Sequence, residues 1–101
     1  MALAPALLAN GQLPSAKSTL FTATTDTIVK SITLVNTDVV SRTVNLYIKR
    51  ASSRRIIPVN LSLGAGSVAI VDDLVISSGD LIEGDASVAT IVDYSICGAA
   101  S

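Results

Sequence analysis

Apolar and polar residues alternate with a period of two along most of the chain from Ser18 onward. In TIVKSITLVN, residues 27–36, Ile28, Lys30, Ile32 and Leu34 fall on one side, with Val29, Ser31, Thr33 and Val35 on the other. RTVNLYIKR, residues 42–50, repeats the pattern, opposing Val44, Leu46 and Ile48 to Asn45, Tyr47 and Lys49. Successive side chains of a strand point to opposite faces, so these segments read as half-buried β-strands. Further strands are expected at residues 19–22, 55–63, 67–71, 74–77, 81–83 and 87–97. The last of these places Val88, Thr90, Val92, Tyr94 and Ile96 on one face. Pro58 marks its strand as an edge or a bulge, because proline cannot donate to a ladder. Residues 51–54 form a polar hairpin tip, Gly64-Ala65-Gly66 and Ser78-Gly79-Asp80 turn the chain, and Asp72-Asp73 interrupts a strand at a bulge or corner.

Short Thr-, Val- and Ile-rich strands at this spacing, without crossover helices, require antiparallel pairing. The predicted fold is all-β: one antiparallel β-sandwich of seven to eight strands, jelly-roll-like, over residues 18–101. Residues 1–17 show neither period and read as an extended N-terminal arm. Its Leu3, Leu7, Leu8 and Leu13 need cover, either from the body of this chain or from a neighbouring one, and a neighbour is the expected source. The core of the body is expected to close without the arm.

Composition narrows the chemistry. The chain has 101 residues, 50% hydrophobic and 15% charged, which suits one domain with a packed interior and rules out disorder. No apolar run reaches the roughly 20 residues of a membrane-spanning helix. The apolar N-terminus does not read as a secretory signal, because the first charge is Lys17. With no His and one Cys, the sequence offers no histidine base, triad, zinc finger or intrachain disulfide. Cys97 is expected reduced and partly buried. The net charge of -1 gives no steering field for nucleic acid.

Asp80, Glu83 and Asp85 are the best cation candidates, but they lack the EF-hand spacing and read better as a polar turn. Asp72 and Asp73, adjacent in sequence, cannot flank one substrate. Ser52 and Ser53 have no base to activate them. Only three aromatic residues, Phe21, Tyr47 and Tyr94, are available to line a small-molecule pocket or a sugar platform. No enzyme activity, cofactor, metal or small-molecule substrate is expected. The cluster KRASSRR places Lys49, Arg50, Arg54 and Arg55 together without the glycines or helix of a phosphate cradle. These four are therefore read either as a solvated tip or as a contact for an acidic protein surface, since arginine forks pair with carboxylates. With the four leucines of the arm they complete the candidate partner-binding set.

IVKSITLVNT (28–37), VNLYIKR (44–50), the turn at 63–67 and LVISSGDLIEGDAS (74–87) together resemble small β-sandwich virion proteins of tailed bacteriophages. The resemblance marks Lys30, Asn36, Thr37, Tyr47, Gly79 and Asp80 as framework residues. Thr24-Thr25-Asp26 stands where such proteins often carry a glycine. What the resemblance implies is a virion structural component assembled in the host cytoplasm. The first expectation is a homotrimeric capsid decoration or cement protein that contacts itself and the major capsid protein or another virion protein. A neck, tail or fibre-associated part, or a glycan-binding adhesion module, is the alternative.

Overall fold

The structure is a computed structural model that describes residues 6–100. Nine strands follow one another with no helix among the described residues: β1 (Ala6–Gln12), β2 (Ser18–Thr22), β3 (Thr27–Asn36), β4 (Arg42–Lys49), β5 (Ser53–Arg55), β6 (Leu61–Leu63), β7 (Val68–Ile76), β8 (Leu81–Ala86) and β9 (Val92–Ala100). Every pairing is antiparallel. Sheet A has the order β1-β9-β3-β7, and sheet B the order β2-β8-β4, with β5 and β6 both on the remaining side of β4. Successive strands pass from one sheet to the other except at β4, β5 and β6, which follow one another within sheet B. Counting β5 and β6 as one interrupted strand, the two orders are those of an eight-stranded jelly roll.

The interruption is a short excursion. Lys49 pairs with Ser53 and Tyr47 with Arg55, but Val44 pairs with Leu61 and Arg42 with Leu63, so residues 56–60 leave the ladder. Pro58 lies within them, Ile57 is buried, and Asn60 adopts a left-handed φ of 49°. The single strand expected over 55–63 is thus two short ones. Residues 87–91 likewise form a turn, with Thr90 at φ 64°, and the last strand starts only at Val92.

The strict alternation expected over 27–36 does not hold either. Val29, Ile32 and Leu34 all face the core, while Ile28 is exposed and Thr33 and Val35 are half-buried. The face switches at Lys30-Ser31, where the β3–β9 register shifts between Val29 and Ser31. On the other side of β3 the register with β7 stays constant. It does so because β7 switches face at the same level, around Asp73 with φ 55°. Asp72-Asp73 therefore kinks a continuous strand rather than dividing it. Gly98 stands beside the shift, where an added Cβ would collide with the backbone of Ile28 and Val29.

Between the sheets lies an aliphatic core whose fully buried members include Leu13, Val29, Ile32, Leu34, Leu46, Ile76, Ile82 and Ile96. Leu13 corrects the arm reading. Residues 6–12 are not an arm reaching a neighbour but an edge strand of sheet A, paired with β9. Leu8 packs on the core and Leu13 lies inside it. The backbone of Leu13 donates to the Val92 carbonyl at 2.8 Å, and Pro14 accepts from the Ala86 amide at 2.9 Å. The pairing was hidden because the register shifts between Leu7 and Ala9, which breaks any period of two. Leu3 lies outside the described residues.

Candidate functional site

The basic cluster straddles the β4–β5 hairpin, and the hairpin divides it. Arg50 turns back onto the Ser78-Gly79-Asp80 turn, where its Nε lies 3.0 Å and one terminal nitrogen 2.6 Å from Asp80 Oδ2. Asp80 Oδ2 also accepts from the Ser77 amide at 2.8 Å. Gly79 supplies the positive φ of 92° that closes this turn. The Asp80 side chain is only 4% exposed. Its hydrogen bonds from Arg50, then that from the Ser77 amide, hold its carboxyl below the ordinary value, and the same partnership raises the Arg50 guanidinium. Arg55 donates to Asn45 Oδ1 at 2.7 Å and lies 5.0 Å from the centre of the Tyr47 ring. Lys49 and Arg54 are exposed and form no ion pair among the described residues. Two of the four cations thus serve the fold of their own chain. Arg54 lines an open groove of about 480 Å³ with Ile48, Arg50, Ser52 and Val75.

The outer face of sheet B carries a polar network that the sequence did not reveal. Asn45 is its hub: its amide donates to Asn60 Oδ1 at 3.1 Å and to Asp85 Oδ1 at 2.8 Å, and its carbonyl accepts from Arg55 and from the Asn60 amide. Beside it, Lys17 lies 4.7 Å from the centre of the Tyr47 ring and donates to Ser53 Oγ, which donates to Glu83 at 2.8 Å. Asp80, Glu83 and Asp85 accordingly have three separate sets of donors and do not converge. Alternation placed Asn45 and Tyr47 on one face. What it could not show was that Asn60 and Asp85, far away in sequence, meet them there.

The outer face of sheet A has the opposite character. Cross-strand partners align its side chains in rows: Leu7, Cys97, Ser31 and Asp72; Asn10, Ser95, Thr33 and Ile70; Gln12, Asp93, Val35 and Val68. Ile28 and Val75 pair beyond the first row. Five of the eight large exposed hydrophobic residues, Leu7, Ile28, Val68, Ile70 and Val75, lie on this one face. The others, Val39, Val40 and Val59, lie on loops. Of the candidate leucines, only Leu7, 57% exposed, presents a free apolar surface among the described residues. Cys97 is half-buried on the same face with a free thiol.

No family model, curated protein or solved structure matches this chain. Lys30, Asn36, Thr37, Tyr47, Gly79 and Asp80 take up folding positions. Lys30 marks the face switch and pairs with Asp73 at 3.1 Å. Asn36 is fully buried, and its side-chain amide lies 2.9, 3.0 and 3.2 Å from the carbonyls of Val40, Leu63 and Gly64. It thereby ties the β3–β4 loop to the β6–β7 turn. Thr37 donates to the Ile91 carbonyl at 2.5 Å. Tyr47, Gly79 and Asp80 organise the network and the turn already described.

Proposed function

We propose that this chain is a non-enzymatic structural protein of a tailed-bacteriophage particle, acting as a self-associating capsid decoration or cement protein. The observation that carries the reading is the division of labour between the two outer faces. Sheet B's face has polar groups bonded to one another, whereas sheet A's face leaves Leu7, Ile28, Val68, Ile70 and Val75 exposed among mostly small or uncharged polar side chains. Exposed large apolar side chains concentrated on one face mark an interaction site, and on a monomer they are a liability. Two further features support the reading. The interior is filled by aliphatic side chains, and jelly rolls recur in viral capsid domains, although the same fold also serves lectins and cupins.

The test is composition of the particle. Gradient-purified virions are analysed by mass spectrometry, with the chain quantified against the major capsid protein. A fixed ratio that survives a second gradient is expected. Absence from purified particles, with the chain left among soluble host proteins, would overturn the reading.

A further inference from the structure

We infer that the outer face of sheet A is a self-complementary interface, covered in solution by the same face of a second copy of this chain. The inference deepens the structural reading above and rests on it. Three observations lead to it. The exposed apolar side chains concentrate on this face, so the best apolar complement that another copy offers is the identical face. Its centre, on β9 and β3, presents Ser31, Thr33, Val35, Ser95 and Cys97. The charges Asp72 and Asp93 stand on the edge strand and at the start of β9, and Lys30 with Asp73 forms an ion pair between themselves. An uncharged centre with charge toward the perimeter is the anatomy of a protein interface.

The third observation is size. Four strands about 4.8 Å apart, seven to ten residues long at about 3.3 Å each, give a projected face of roughly 500–600 Å² before pleating is counted. Pleating raises the accessible area toward the roughly 800 Å² per partner of a standard specific interface. Its exposed apolar side chains, Leu, Ile and Val, are of the kind with which two sheets pack face to face inside a sandwich. Contact between identical patches is isologous and closes at two copies, whereas a trimer requires two different patches to meet.

The experiment is sedimentation velocity with light scattering on the full chain, before and after Ile70→Arg. Ile70 is 60% exposed, so the change should leave the fold intact, as a circular dichroism melt will show. Thr33→Arg, on the central strand, is the second disrupting variant, and Val39→Arg, on a loop and 88% exposed, the control. The expected result is a wild-type species of twice 10.3 kDa, a monomer for both face variants and an unchanged dimer for the control. As a readout independent of substitution, the reaction rate of the Cys97 thiol with an aromatic disulfide reagent should fall several-fold as wild-type protein is concentrated through the dimerisation range. A monomeric wild type with Cys97 equally reactive at all concentrations would overturn the proposal, leaving the face to a different protein. A trimer, or a dimer that survives both face variants, would also overturn it. None of these outcomes bears on whether the chain occurs in particles.

Discussion

Asn36 shows how one side chain can hold two connections that the strands themselves do not. Its amide group reaches three carbonyls on two loops, and its Oδ1 accepts from the Asp38 amide at 3.0 Å. Asn36→Leu keeps the volume and leaves these buried partners unbonded, each costing about 1–3 kcal/mol. A loss of about 3 kcal/mol is expected in urea denaturation, and a loss below about 0.5 kcal/mol would show that the loops hold without it. Asp80 makes a pH-dependent contribution. Its carboxyl, and that of Asp38 through Arg42 and the Val39 amide, lies below the ordinary 3.8 in the folded chain. In the window below the ordinary value, the unfolded chain binds more protons. The stabilisation is therefore complete above about pH 4 and is lost as the pH falls through the folded values. Urea midpoints measured from about pH 6 to pH 2 should drop steeply for the wild type and less so for Asp80→Asn, while equal slopes would contradict the assignment. The basic tip divides in the same way. Arg55→Glu should destabilise the chain by breaking the Asn45 hub, whereas Arg54→Glu, on an exposed side chain, should stay within about 0.5 kcal/mol. Equal melting temperatures for the two variants would mean that Arg55 is as free as Arg54. The composition of the tip was legible in the sequence, but not its division, because Asp80 lies thirty residues from Arg50 and only folding brings them together.

At the scale of elements, alternation revealed most strands and concealed the places where a strand changes face. Val29 and Ile32 are three apart, yet both are fully buried, because Lys30-Ser31 absorbs the switch. A period of two cannot show this, and it pairs Ile28 with Ile32 on one side. The same cause hid β1, whose ladder to β9 slips between Leu7 and Ala9. Its place in sheet A reverses what the sequence suggests for a truncation. Removing residues 1–17 takes away an edge strand, exposes the far side of β9 and empties the Leu13 site. The expected result is loss of the cooperative melt rather than a folded, dissociated body. Leu13→Ala alone should cost about 2–5 kcal/mol, as for other fully buried leucines. A truncated chain with an unchanged β-spectrum and melting temperature would restore the arm.

For the whole molecule, the jelly-roll order comes from strands that cross between the two sheets at every connection except β4 to β5 and β5 to β6, and the class of fold was legible from alternation, turn spacing and the lack of helical periods. The contrast between the two outer faces was not, since it depends on which side of each strand turns inward after the shifts. Once those are known, sheet B's face carries a connected polar network, while sheet A's, among the described residues, keeps only the Gln12–Asp93 and Lys30–Asp73 pairs and leaves five large apolar side chains exposed. We propose that this face, paired with that of a second copy, is what the chain needs to be retained in a phage particle. The direct measurement is the ratio of this chain to the major capsid protein in gradient-purified particles assembled with either the wild type or Ile70→Arg. A constant ratio for the wild type and a depleted one for the folded variant are predicted. Equal incorporation of the two, or particles without either, would contradict it.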